Sequence, residues 1–228
     1  MKKIERKQTR DQIAQMIRYQ ILSGAMKPGE ELTQENIAEQ LGLSRMPVRE
    51  ALQSLEQEGF LVRLPNRHMQ VSTLAVEDVS HIFRVIAVMA AELFALVPAN
   101  QGELLRARAQ ELARAGDNAG ELAFHQLLIS YLDNRYLAKA YQQFLDGYIS
   151  YVILYLKEDG QEAAQILNEL ASAIGHGEGE KIAQATQRYF LMLAEIMRQH
   201  MKDWESAEAS IRENSDLFRE GAGGGGFA

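Results

Sequence analysis

The chain has 228 residues, 46% of them hydrophobic and 24% charged, with a net charge of −7 and no cysteine. Such a chain is long enough to bury one large core or two small ones, and the missing cysteines exclude a disulfide framework, thiolate chemistry and cysteine-held zinc. The longest apolar block, Val85 to Val97, is broken by Glu92 and falls short of the roughly 20 residues of a membrane span, while the basic opening MKKIERKQTRDQ has no apolar run behind it, so the expectation is a soluble, cytoplasmic protein with no signal peptide and no membrane partner.

Thr9 to Ser23 reads as a first helix, with Ile13, Met16, Ile17 and Ile21 on one face. SGAMKPGEEL ends it, because Gly24, Pro28 and Gly29 do not continue a helix. Thr33 caps a second helix, TQENIAEQLGL, which turns Ile37, Ala38 and Leu41 inward. Gly42 makes a tight corner and Ser44 opens a third helix, with Pro47 in its first turn, Val48, Ala51, Leu52 and Leu55 as its inward stripe and Gly59 as its close. FLVRLPNRHMQVSTL then alternates and breaks at Pro65-Asn66, predicting a β-hairpin of 60–64 with 69–74 and a tip at Asn66 to His68. Two short helices joined through a glycine, followed by a hairpin, make a winged helix-turn-helix.

The third helix carries an electrostatic puzzle. Arg45 and Arg49 lie in its first turns, where the positive end of the helix dipole disfavours cations. Taken alone, an i,i+4 arginine pair is common on a solvated helix. An external polyanion would be drawn both by the cations and by the free N–H groups of the first turn, as in DNA's major groove. The charge distribution agrees: residues 1–74 hold 11 Lys and Arg against 9 Asp and Glu, leaving 13 against 22 in the remainder. A slightly basic head sits on an acidic body, and binding would rest on the placement of cations rather than their number.

The stretches LSGAMKPGEEL, IAEQLG, SRMPVREAL and EGFLVRLPNR resemble the DNA-binding domain of the GntR family of bacterial transcription regulators, over about residues 8–74. The resemblance implies that Arg45 contacts base edges of an operator and Arg49 a base or phosphate. It also implies that Ser44 contacts the DNA, that Met46 and Pro47 lie against the groove, that Thr33 and Gln34 reach the backbone, and that Arg67 and His68 approach the minor groove. Two residues depart from the family pattern: His68 stands where many relatives have glycine, and Glu35 where some carry a DNA-contacting arginine.

Beyond Val76 helical periodicity dominates, with helices expected at 76–98, 101–115, 118–133, 134–157, 160–175 and 178–203 and an extension to about 220. Ala163, Ile166, Leu167, Leu170, Ala173 and Ile174 trace one stripe, and Ile182, Ala185, Tyr189, Leu193, Ile196, Met197 and His200 another. Long amphipathic helices on short connections predict an antiparallel all-α bundle. The fold class is therefore mainly α. The winged helix occupies 1–74, the helical effector-binding and dimerisation domain 75–220, and a flexible Gly-rich tail 221–228.

This half resembles the FadR-type subgroup of the same family, whose helical domain senses a small molecule, in many relatives through a metal held by one Asp and three His. ELAFHQLL matches the start of that pattern with Glu121 for the Asp and His125 kept, on one helix face at i,i+4. Leu167 and Tyr189 stand where the second and third histidines belong, so neither metal nor cofactor is expected. The effector would be held by shape and a few polar groups. Arg84 matches an arginine that relatives point into the pocket, though a surface ion pair with Glu77 or Asp78 is the alternative, and Val88 replaces its usual glutamate partner. Tyr148, Tyr151 and Tyr155 lie at i, i+3 and i+7, as core or as cavity wall. The resulting expectation is a homodimeric regulator that reads an inverted repeat in double-stranded DNA and answers to an unidentified small-molecule effector. The alternatives are an effector-independent dimeric DNA-binding protein, or a small helical enzyme using Glu121 and His125 as an acid/base pair.

Overall fold

A computed structural model describes the backbone of residues 4–115 and 118–222 and the side chains of 9–115 and 118–207. Of the expected tail, residues 223–228 lie outside the described residues. The head comprises α1 (Ile4–Leu22), β1 (Glu31–Leu32), α2 (Gln34–Leu41), α3 (Arg45–Gln57), β2 (Leu61–Arg63) and β3 (Met69–Val71). The body comprises α4 (Val76–Ala95), a 3-10 turn (Ala99–Gln101), α5 (Gly102–Ala115), α6 (Asn118–Ser130), α7 (Arg135–Phe144), π-helical turns at Leu145–Ile149 and Val152–Leu156, α8 (Gln161–His176) and α9 (Gly179–Ala222).

The head forms as its local chemistry directs. The Thr33 hydroxyl accepts the Asn36 N–H at 3.2 Å and caps α2. Gly59, at φ +84°, reverses the chain after α3, and the Phe60 N–H then reaches the Leu55 carbonyl at 3.0 Å, a Schellman closure that satisfies a last-turn carbonyl. Ile13, Ile17, Val48, Ala51, Leu52 and Leu55 are buried together between α1 and α3. In the wing the expected hairpin forms, β2 against β3, and β1 adds a strand to it. The result is a three-stranded antiparallel sheet in the order β1-β3-β2, with Glu31 opposite Gln70 and Leu61 opposite Val71. The third strand covers the edge of β3 that a two-stranded finger would leave open.

In the body α4 packs along α9, α5 against α8, and α8 against α9. Both expected stripes face the core, with all six residues of the α8 stripe buried, as are Ile182, Ala185, Tyr189, Leu193 and Met197 of α9. The single helix expected over 134–157 is corrected. Regular α-helix ends at Phe144, and Gly147 breaks the following π turns at φ −97°, ψ −109°. Such wide turns disrupt the i→i−4 ladder and free carbonyls for other partners. The last helix also runs well past 203, to Ala222. Among the described residues no single helix is long and apolar enough to cross a membrane.

Candidate functional site

The leading turn of α3 projects from the head as a polar, cationic surface. Ser44 occupies the N-cap position, yet its hydroxyl makes no cap bond, so the first-turn N–H groups keep their capacity for an external anion. Arg45, Met46 and Arg49 are exposed. Arg49 has no ion-pair partner among the described residues, whereas Arg45 bonds to the carboxylate of Glu35 at the start of α2. That pair lies in solvent, with its side chains 68% and 66% exposed, so water and salt compete for both partners. Thr33 uses its oxygen in the cap and keeps its own O–H for donation; Gln34 and Pro47 are half-buried beside it. At the finger tip Arg67 is exposed and holds φ +69°, a left-handed conformation that a side chain disfavours. The His68 ring folds back, with Nδ1 3.2 Å from Asn66 Nδ2 and 3.1 Å from Glu31 of β1.

A second constellation is sealed inside the body. Tyr189 of α9 donates to Glu121 Oε1 at 2.6 Å, and His125 Nε2 lies 2.7 Å from the Tyr189 oxygen. His125 Nδ1 lies 2.8 Å from the Tyr141 hydroxyl of α7. The other carboxylate oxygen of Glu121 bonds the ammonium of Lys157, just past the second π turn. Because the Tyr189 proton is committed to the carboxylate, His125 must donate from Nε2 and accept at Nδ1, which the Tyr141 hydroxyl supplies. That pattern requires a neutral imidazole. Burial pushes its pKa down to about 3 and pushes both tyrosines well above their ordinary value. Desolvation lowers Lys157 to about 8, still protonated at neutral pH and set against the carboxylate.

This arrangement turns Glu121, His125 and Tyr189, candidates for effector contact, toward one another in the body's interior. Glu121 and His125 are fully buried, and the three groups use their hydrogen-bonding capacity on one another, on Tyr141 and on Lys157. It also does not fit the metal of the FadR-type pattern. The positions of the missing histidines hold buried Leu167 and the donating Tyr189, and a lysine ammonium stands against the carboxylate. Among the described residues no group of three or more His, Cys, Asp or Glu could hold a metal ion.

The remaining expected effector residues fall elsewhere. Arg84 is exposed on α4 and pairs with neither Glu77 nor Asp78; the latter instead accepts the Ala75 N–H. Tyr148 stacks on Phe60 of the head, centroids 5.1 Å apart, and Tyr151 packs edge-on to Tyr19 of α1 at 5.8 Å. Both therefore belong to the seam between head and body. Arg18 holds that seam. Only 7% exposed, it grips Glu58 at 2.6 Å and donates to the Asp146 carbonyl at 3.0 Å. The sequence reading passed over Arg18, Tyr141 and Lys157. Arg18 stands four residues from Ala14 and from Leu22, both buried on α1, and shares their face.

Comparison with known proteins places these features. The model of the gntR family of bacterial regulatory proteins matches residues 9–71, and that of the FCD domain residues 78–203. YdhC of Bacillus subtilis, an uncharacterized HTH-type transcriptional regulator, is 30% identical over 139 residues, covering 55% of this chain and 62% of its own length. The HTH-type transcriptional regulator McbR of Escherichia coli is 34% identical over 113 residues, 46% of this chain and 51% of its own length. The chain thus spans less than two thirds of the length of the curated relatives it matches. The solved structure of E. coli McbR/YncC superposes with a TM-score of 0.52 at 23% identity, covering 88% of this chain and 98% of that one. Lar, described as controlling the agr system of Listeria monocytogenes, superposes at 0.56 with 14% identity, covering 83% and 96%. These two likenesses are of fold.

Proposed function

The chain belongs to the gntR family of bacterial regulatory proteins and carries an FCD domain, and from that premise we propose that it is a sequence-specific, DNA-binding transcription regulator rather than an enzyme, working in the cytoplasm as a homodimer on an inverted-repeat operator. The observation that carries the reading is the leading turn of α3: without a side-chain cap, exposed, and bearing Arg49 with no ion-pair partner among the described residues. Arg45 reads a base edge and Arg49 a base or phosphate. Thr33, Gln34 and Ser44 meet the backbone, Met46 and Pro47 pack on the groove wall, and Arg67 and His68 enter the minor groove. Residues 1–74 act as the reading head and 75–220 as the regulatory and dimerising body. Exposed apolar side chains support the dimer: Val85 and Val88 on α4 and Leu96 just past its end share one face with the exposed His81 and Glu92.

Arg49→Ala tests the assignment. It is expected to weaken operator binding by about 1–3 kcal/mol, roughly 5- to 150-fold, and to flatten the dependence of log K on log salt. Unchanged affinity with an unchanged salt slope overturns it. A second reading, a regulator whose body only dimerises, is favoured by the sealed Glu121–His125 chain. Thermal shift with a metabolite panel separates the two, because a ligand raises the melting temperature of a sensor and leaves a pure dimeriser unmoved.

A further inference from the structure

The seam between head and body holds a partly open cavity of about 80 Å3. Its walls come from the end of α1 and the turn that follows it, the stretch leaving β3, Tyr148 of the first π turn, and α9 at Met197, His200, Met201 and Trp204. Three observations set it apart from a packing defect. First, the buried Ser72 hydroxyl on its wall has no hydrogen-bond partner among the described residues, a cost that proteins rarely leave standing. Tyr148 adds a second hydroxyl with no partner among the described residues. Second, among the described residues no Lys, Arg, Asp or Glu lines the space, and His200 is the only imidazole there, so a charged guest would give up its hydration for few polar partners. Third, Trp204 forms one side of the cavity and lies against Gly24 so tightly that a Cβ there would fall 2.4 Å from the indole nitrogen. One wall therefore belongs to the reading head and the opposite wall to the end of the body.

We propose that this seam cavity is a binding site for a compact uncharged molecule, or the uncharged end of a longer one, that carries a hydroxyl or carbonyl group for Ser72. The volume is roughly half that of an apolar cavity known to take up benzene, which suits a short aliphatic chain. An occupant touches Phe60 and Ser72 on the head side and His200 and Trp204 on the body side, so its binding couples the geometry of the two. As an effector site this rests on the regulator reading, but occupancy is measured without DNA, so failure of cavity binding and failure of operator binding are separate results.

Trp204 is the only tryptophan in the chain, and its emission reports the cavity directly. Full-length protein is titrated with 1-butanol, n-butyrate and n-butylammonium, which share a chain and differ in the charge of the head group. A saturable change in emission is expected with butanol, and a response at least about tenfold weaker with either ion. Ser72→Ala is expected to weaken butanol binding several-fold while leaving the unfolding midpoint of the empty protein unchanged or raised, since the substitution removes an unsatisfied hydroxyl. No saturable response to butanol, an equal response to butyrate, or undiminished affinity in Ser72→Ala each overturns the proposal.

Discussion

At Glu35 the DNA-facing surface carries a charge of the wrong sign. Its carboxylate, at the start of α2, bonds Arg45 at the start of α3, so the arginine must exchange that partner for a base or share itself between the two. Both side chains are exposed, so exchange is easy. The lasting effect is repulsion between the carboxylate and nearby phosphates. Glu35→Gln is therefore expected to raise DNA affinity several-fold at low salt and to steepen the salt slope by about one. A loss of affinity in a binding titration would mean instead that Glu35 orients Arg45 for its base. A second residue-scale consequence lies at His125. Its imidazole takes a proton near 6.5 in the unfolded chain but only near 3 in the fold, so between those values the unfolded state binds more protons and stability falls as pH falls. From pH 6.5 to 5 the loss is about 2 kcal/mol from this group. His125→Gln, which keeps a donor and an acceptor, should flatten that part of the curve in urea titrations at the two pH values; an unchanged slope would place the acid sensitivity elsewhere.

The elements were unevenly legible. The cap at Thr33, the corner at Gly42 and the close at Gly59 could be read because each is a local backbone requirement that few residue types meet. The strand Glu31–Leu32 could not, since two residues are too short to alternate. The π turns were hidden because an apolar run keeps its helical look while the ladder inside it slips. Of the buried chain, Glu121 and His125 showed as an i,i+4 pair, but Lys157 follows a helix end, where a lysine ordinarily sits in water. Its partner lies 36 residues away, and nothing local announces it. The chain ties α6, α7, α9 and the second π turn into one unit, and its energetics are lopsided. Lys157→Met leaves the Glu121 carboxylate buried without its counter-charge, at an expected cost of about 3–5 kcal/mol. Adding Glu121→Gln removes the stranded charge while keeping an acceptor for Tyr189, so denaturant midpoints should show the double variant more stable than Lys157→Met alone. The reverse order would mean that the carboxylate, held by the Tyr189 hydroxyl, stabilises the fold even without its counter-charge.

For the molecule as a whole, the question is how a slightly basic head stays oriented on a body that carries most of the negative charge. An acidic body and a DNA duplex repel, which favours the head presenting α3 away from the body. Diffuse charge cannot fix an angle, however, and the seam does so through Arg18. Its guanidinium holds Glu58 just past the end of α3, so it positions the far end of the reading helix, and it holds the Asp146 carbonyl beside the break at Gly147. Regular helix there would have left no carbonyl to offer, so the irregularity in the body is what the head grips. Arg18→Met keeps the apolar stem and removes the fork, leaving the largely buried Glu58 carboxylate with the Ser54 hydroxyl but no counter-charge, and the Asp146 carbonyl without its guanidinium donor. The expected outcome is loss of cooperativity between the two halves. Calorimetry should resolve two transitions where the parent shows one, and limited proteolysis should open the link between Val71 and Val76. A single transition lowered as a whole would mean that Arg18 stabilises the protein without setting the angle. Persistence of two transitions when Glu58→Gln is added would place the hold on the Asp146 carbonyl rather than on the ion pair.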